Sequence, residues 1–338
     1  MKTASLALTA LLAGGSAASA QDVAAFYAGK TIRLVVGVDV GSGYDVNARL
    51  LARHMGAHIP GNPAFIVQNQ PGAGSVTMTS QLYASGPFDG TTIGAAFAGM
   101  PTIPLLAPGG SRFDPTKLIW LGNTNRETHV TYVWHTAPVQ SLAEARSHEL
   151  IVGAQAPGSS QVDFPLVADA LLGFKFKVVS GYQSTSKINL ALESGEVQGT
   201  IAAWTTLKTL SSAWLAEHKI KVIAQWALRP NPELPDVPNV LDAATTAAER
   251  DALRLVLARL DIGRPFFLPP NVPADRVAAL RAAFDATVAD PDYRAEADRL
   301  KIDVDPLTGA ALAALVAQVS QTPSDTVARV RAALEHKQ

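Results

Sequence analysis

The sequence predicts an α/β protein built from two similar lobes, and three observations predict it. Short β-branched apolar runs alternate with glycine turns and amphipathic helices through the first hundred residues. The same alternation restarts near residue 142 and continues to about residue 225. In both stretches the glycines fall just after a strand and just before a helix, where open α/β sheets bind their ligands.

In chain order, Ile32-Arg33-Leu34-Val35-Val36 is the kind of run used for a buried parallel strand. It breaks at Gly41-Ser42-Gly43, after which Val46, Leu50, Leu51 and Met55 share one helical face. Asn62-Pro63 ends that unit, and Phe65-Ile66-Val67 begins a second strand. A second glycine turn, Pro71-Gly72-Ala73-Gly74-Ser75, leads into a helix over 76–83, and Asp89-Gly90 turns the chain into a strand over 91–96. Further strands are expected over 118–122 and 130–134. The second stretch reads as strands over 150–153, 176–179, 198–203 and 219–225, with helices over 142–146, 164–172 and 188–193. The proline-rich segment 229–238 must be a surface loop. The tail carries helical stripes: Val277, Leu280, Phe284 and Val288, then Leu312, Leu315, Val316 and Val319, then Val327, Val330 and Leu334. Core packing against a sheet accounts for them.

Lys2, the apolar run 6–13 and the small residues Ala18-Ser19-Ala20 form a secretory signal peptide over residues 1–20, with cleavage expected before Gln21. The run is too short to span a bilayer. The chain has no cysteine, which excludes disulfides, thiolate nucleophiles, thiolate metal sites and a lipid anchor through cysteine. With 48% hydrophobic residues, a large core replaces disulfide staples. The formal charge is −1 and no basic run exists, so nucleic acid is excluded as a partner.

Three loops carry the functional expectation: Gly41-Ser42-Gly43-Tyr44-Asp45, Gly72-Ala73-Gly74-Ser75 and Gly158-Ser159-Ser160. Glycine lets backbone approach a ligand closely, and free amides with serine hydroxyls at a helix start make an anion site. Helix caps and tight turns are the alternative reading of each loop alone. Three such loops in two similar halves point to a cleft between lobes. A nucleotide does not fit, because no Gly-Lys-Ser/Thr follows Gly43, and Val46 stands where a dinucleotide fingerprint needs glycine. Asp39 and Asp45 could pair as carboxylates, but Asp45 sits where a helix cap belongs. Ser42 and Ser159 lack a histidine partner evident from sequence. His54 and His58 are four apart without a third ligand, so no metal site is expected. His129, Trp134 and His135 could edge the cleft or simply pack. Trp204, beside Ala203 at a strand end, and Trp226 could form an aromatic wall.

These loops resemble the substrate-binding proteins of tripartite tricarboxylate transporters, also described as the Bordetella uptake gene family. The likeness runs through Lys30-Thr31-Ile32-Arg33-Leu34-Val35-Val36, Gly41-Ser42-Gly43-Tyr44-Asp45 and Asn69-Gln70-Pro71-Gly72-Ala73-Gly74. It continues through Pro87-Phe88-Asp89-Gly90-Thr91-Thr92-Ile93, Ala156-Pro157-Gly158-Ser159-Ser160 and Leu234-Pro235-Asp236-Val237-Pro238-Asn239-Val240. The resemblance implies a monomeric periplasmic binding protein of the type II kind. Its two Rossmann-like lobes have mixed sheets around a ligand cleft and close on the ligand. The lobes would be residues 21–125 with 228–338, and 126–227, the C-terminal helices packing back on the first. It implies delivery of a small organic carboxylate to a permease with large and small membrane subunits, and no catalytic residue, cofactor or metal. Carried over by position, the carboxylate donors are Gly41, Ser42, Gly43 and Tyr44 with Gly158, Ser159 and Ser160. Asp45, Gly72, Ala73, Gly74, Ala98 and Gly99 would line the first lobe, and Ala203 and Trp204 the second. Two departures matter. Ile201-Ala202 replaces the family's frequent Phe-Asp, which disfavours an amino acid ligand. Tyr182-Gln183-Ser184-Thr185 replaces Tyr-Lys-Gly-Gly, which favours a mono- or dicarboxylate with an apolar body over citrate. A ligand-binding subunit of an extracytoplasmic sensing system, or an exported α/β hydrolase or lyase marked by a Ser or Asp within hydrogen-bonding reach of a His in the cleft, are the alternatives.

Overall fold

The computed structural model describes residues 22–107, 109–155 and 158–335. The signal-peptide expectation over 1–20 lies outside them, as do Ala156 and Pro157. The chain divides into two compact units, residues 1–125 with 262–317 and residues 126–261 with 318–338.

The first unit opens with helix α1 (22–27), strand β1 (Thr31–Val36) and helix α2 (Gly43–Met55). Then come β2 (Ala64–Asn69), α3 (Val76–Ser85), β3 (Thr92–Ala95), the short α4 (Ile103–Leu106) and β4 (Ile119–Asn123). β1 lies between β2 and β3, parallel to both, with Leu34 opposite Val67 and Ile93. Leu34, Val35 and Val36 are all buried, as an inner parallel strand covered on both faces requires. The sheet is completed from far downstream by β10 (Pro265–Leu268) and β11 (Leu307–Thr308), in the order β11-β4-β10-β3-β1-β2. β10 runs antiparallel to both of its neighbours. Its proline stands at the first residue of the strand, a position where a missing N–H is tolerated.

α2 starts where the sequence places it. Ser42 caps it, its Oγ accepting from the Asp45 N–H at 3.3 Å. Leu50, Leu51 and Met55 enter a core shared with Tyr27, Leu34, Phe266, Phe284 and Tyr293. α10 (Ala274–Ala289) and α11 (Pro291–Arg299) pack beside α2. Here His54 and His58 each meet a carboxylate. His54 Nε2 lies 2.7 Å from Glu296 Oε2, and His58 Nε2 lies 2.8 Å from Asp290 Oδ2. Hydrogen bonds from His54 and Arg53 hold the Glu296 carboxyl below its ordinary range. No cluster able to hold a metal occurs among the described residues.

The second unit repeats the plan. β5 (His129–Trp134), β6 (Leu150–Ala154), α5 (Ser160–Leu172), β7 (Phe176–Ser180), α6 (Thr185–Glu193), β8 (Gly199–Ala203), α7 (Trp204–Leu210), α8 (Ser212–Ala216) and β9 (Ile220–Trp226) follow in order. The sheet order is β7-β6-β8-β5-β9. β6 is parallel to β7 and β8, and β5 is the antiparallel insertion between β8 and β9. Trp226 is fully buried, stacks on Phe164 at 5.2 Å and donates from Nε1 to Thr131 Oγ1 at 2.8 Å. It is a core residue and not part of an aromatic wall.

The return crossover, read from the sequence at 227/228, falls at 261/262 in this division. α9 (Ala247–Ile262) belongs for almost its whole length with the second unit, where Arg259 meets Asp163 of α5 at 2.9 Å. α12 (Gly309–Ser320) straddles the next division at 317/318, and α13 (Ser324–Glu335) packs on α5. Thus α13, expected against the first lobe, buries Val327, Val330 and Ala333 in the second.

Candidate functional site

The predicted residues of the first unit lie beyond the carboxyl ends of β1, β2 and β3, on loops and in the first turn of α2, and side-chain contacts tie these segments together. Tyr44 is the bridge. Its hydroxyl accepts from the Ala98 N–H at 3.2 Å, and its ring lies 5.5 Å from that of Phe97. Ser75 is the second bridge: its buried Oγ donates to the Gly37 carbonyl at 3.0 Å and accepts from the Phe97 N–H at 2.9 Å. Ala73, Gly74 and Ser75 have φ of 47°, 60° and 72° in succession. That is a left-handed turn in which only the middle residue is glycine, and such strain persists where neighbours hold it in place. Ser75→Ala would leave the Gly37 carbonyl and the Phe97 amide without this partner. We expect it to destabilise the protein by about 1–3 kcal/mol in urea denaturation. Ser75→Gly should cost less, because glycine relieves the positive φ.

Asp45 does a different task from the one the sequence suggests. It is 2% exposed. Its carboxylate accepts from Gly41 N–H at 2.9 Å, from Asn69 Nδ2 at 2.8 Å and from Arg49 Nε at 3.0 Å. Asn69 in turn donates to the Val38 carbonyl at 3.0 Å and accepts from Arg49 at 2.8 Å. Burial opposes ionisation of Asp45, but the bonds from Arg49, the Gly41 amide and Asn69 outweigh it and hold the group below its ordinary pKa. Asp45 and the Gly41 amide therefore brace the loop. In the first turn of α2 the Asp45 amide is spent on Ser42 Oγ, and the Gly43 amide has no acceptor within the helix.

The sequence missed the cation at this loop. Arg264, between Gly263 and β10, sets its guanidinium 3.9 Å from the Tyr44 ring centroid. Its Nη2 lies 3.5 Å from where a Gly43 Cβ would stand. A positive charge thus accompanies the glycine loop.

In the second unit, Gly158 has φ of +86° and Ser159 precedes α5 in an extended conformation. The Ser159 Oγ is buried and makes no hydrogen bond among the described residues. The Gly158 carbonyl accepts from Arg259 Nη1 at 3.2 Å. Ser160 Oγ lies 3.0 Å from His129 Nδ1, and His129 pairs with Ala203 in the β5–β8 register. The Trp204 N–H donates to the Thr128 carbonyl at 2.8 Å. Ser160 and Ala203 therefore adjoin His129, which the sequence leaves undecided, and Trp204 bonds to the neighbouring Thr128. Trp204 is half-buried. Its Nε1 donates to Glu233, which also holds Lys208 at 2.8 Å. A cavity of about 720 Å³ in this unit, lined by residues including Leu142, Phe174 and Ile223, holds none of the predicted residues.

No family model matches the sequence. A curated relative from Cupriavidus necator, the UPF0065 protein in the gbd 5′ region, is 26% identical over 311 residues, covering 89% of this chain and 86% of its own. The fold is that of known binding proteins. A TctC solute-binding protein from Polaromonas superposes with a TM-score of 0.70 at 20% identity, covering 91% of this chain and 98% of its own. The periplasmic binding protein BugD gives 0.61 at 21%, covering 92% and 100%. MatC from Rhodopseudomonas palustris, with bound malate, gives 0.60 at 21%, covering 91% and 99%. The resemblance drawn from the sequence is borne out: structures similar to this chain are TctC- and Bug-type solute-binding proteins.

Proposed function

We propose that this chain, which has the fold of TctC- and Bug-type solute-binding proteins, is exported to the periplasm and captures a small organic carboxylate for a tripartite-type permease. The observation that carries this reading is that each unit presents hydroxyls and first-turn amides at a helix start: Ser42 at α2 in the first, Ser159 and Ser160 at α5 in the second. Helix amides and hydroxyls suit an anion. Arg264 beside Gly43 adds positive charge. The relative bound to malate supports a carboxylate, and the absence of an acidic residue at Ile201-Ala202 fits a ligand without an amine.

The test is thermal unfolding of the refolded mature protein against mono-, di- and tricarboxylates, amino acids, sulfonates and sugars. Refolding frees the protein of co-purified ligand. A ligand at a hundred times its Kd adds about 2.7 kcal/mol. We expect shifts confined to carboxylates, with adipate and malate ahead of citrate. Replacing both Ser159 and Ser160 by alanine should weaken the hit by roughly 100-fold or more, as loss of two hydrogen bonds to a charged group implies. A shift from sugars or amino acids alone would overturn the reading. Ser160 beside His129 also meets the bare requirement of a serine hydrolase, so the same protein is offered p-nitrophenyl acetate. Ester turnover that depends on Ser160 would favour that reading instead.

A further inference from the structure

His129 sits between two oxygen groups. Its Nδ1 lies 3.0 Å from Ser160 Oγ, and its Nε2 lies 3.3 Å from Glu127 Oε2. The His129 and Glu127 side chains are only 12% and 15% exposed. In such a chain the protons on the ring decide which way the serine hydroxyl points.

Three protonation states are possible. With the single proton on Nδ1, the Nε2 lone pair would face the Glu127 carboxylate, which is repulsive. Glu127 therefore selects the neutral form with the proton on Nε2. In that form Nδ1 is an acceptor, so Ser160 must spend its hydrogen on His129 and shows only lone pairs to its surroundings. Those lone pairs repel an anion. In the imidazolium form both ring nitrogens donate, one to Glu127 and one to Ser160 Oγ. The Ser160 hydrogen is then released and can be given to an anion at the start of α5.

We infer that His129 is a positioning residue for the carboxylate proposed above: the second unit binds the anion together with one proton, taken from water onto His129 Nδ1, and Glu127 holds the resulting charge. This rests on the proposed carboxylate-binding role. Glu127 is the carboxylate that meets the ring, at 3.3 Å. Ala203 of β8 and Trp226 of β9, the register partners of His129, are neutral. Phe164 of α5 packs its ring 5.9 Å from the imidazole. Asp163 of α5 is neutralised by Arg259 of α9 at 2.9 Å. Thr128 Oγ1 accepts from the neutral Asn231 side chain at 3.1 Å. Arg126 precedes Glu127 on the same segment.

The sign follows from linkage. Binding that takes up a proton tightens as pH falls, by up to about tenfold per pH unit. The experiment is titration calorimetry with malate and with adipate from pH 6.5 to 8.5, where both carboxylates stay ionised, in buffers of different ionisation enthalpy. We expect close to one proton taken up per ligand within that range and affinity falling as pH rises. His129→Gln, which cannot take up a proton, should abolish the uptake and flatten the pH profile to less than twofold. Ser160→Ala should also flatten it while weakening binding at pH 6.5. Binding by wild type without proton uptake, or uptake that persists in His129→Gln, overturns the inference and leaves the carboxylate role standing. If wild type binds neither dianion nor any other carboxylate, the proposed function fails. Nitrogen NMR of the ligand-free imidazole then still decides the positioning step: protonation on Nε2 is expected in the neutral ring, and protonation on Nδ1 overturns it.

Discussion

Asp45→Ala should lower the unfolding free energy by about 2–4 kcal/mol at pH 7, because it removes a buried carboxylate and leaves its donors unpaired. The donors are the Gly41 amide, the Asn69 amide and the Arg49 guanidinium. Asp45→Asn should not rescue it, since the new NH₂ would face N–H groups that now donate to the carboxylate. The pH dependence distinguishes this from simple packing loss. The folded-state pKa of Asp45 is depressed. Its contribution is therefore fully present above the unfolded value, near 3.9, and is lost as pH falls through the folded one. The gap between wild type and Asp45→Ala in urea denaturation should be full at pH 7 and close in acid below about pH 4. A gap under about 0.5 kcal/mol at pH 7 would show that the loop is held by other means.

Gly263→Ala should cost still more. Gly263 has φ of +59°, and a Cβ there would stand 1.8 Å from the Asn125 carbonyl oxygen. Neighbouring bonds fix the two segments side by side: Asn123 Nδ2 donates to the Ile262 carbonyl at 3.1 Å, and Thr124 N–H donates to the Arg264 carbonyl at 3.3 Å. The left-handed residue costs about 1–2 kcal/mol and the overpacking about 1–3 more. Gly173→Ala is the matched control, with φ of +68° and nothing within 4 Å of its Cβ, so it carries the backbone cost alone. Denaturant unfolding of both variants by circular dichroism isolates the clash. Equal losses in the two would mean that the 123–125 segment yields easily.

What could be read in advance was what local pattern dictates. β1 and α2 were legible because the Ile32–Val36 run is continuous and Val46, Leu50, Leu51 and Met55 keep a helical period. The glycine loops were legible for the same reason, as breaks between two periods. β10 was not, because four residues headed by Pro265 carry no period and gain their place only by pairing with β3 and β4 far upstream. α9 is absent from the sequence reading, although Leu253, Val256, Leu257 and Leu260 keep a helical spacing; an apolar stripe fits either sheet, so its unit was not readable either. Nor were Arg264 and His129 as site residues. Arg264 reaches Tyr44 only after the chain returns through β10. His129 reaches Ser160 only because β5 inserts beside β8, on the sheet that α5 covers.

The placement of β10 has a consequence for the order in which this chain can mature. Until residues 265–268 are available, β3 and β4 each lack the strand that lies between them. The second unit likewise lacks its last helix, α13, until residues 324–335 have been made. A polypeptide emerging from its amino end therefore cannot finish either half until its final quarter has appeared. That delay keeps the chain threadable for as long as possible, the condition a polypeptide needs if it must pass unfolded through a narrow channel. It also leaves bare strand edges exposed meanwhile, where a holding partner would be of most use.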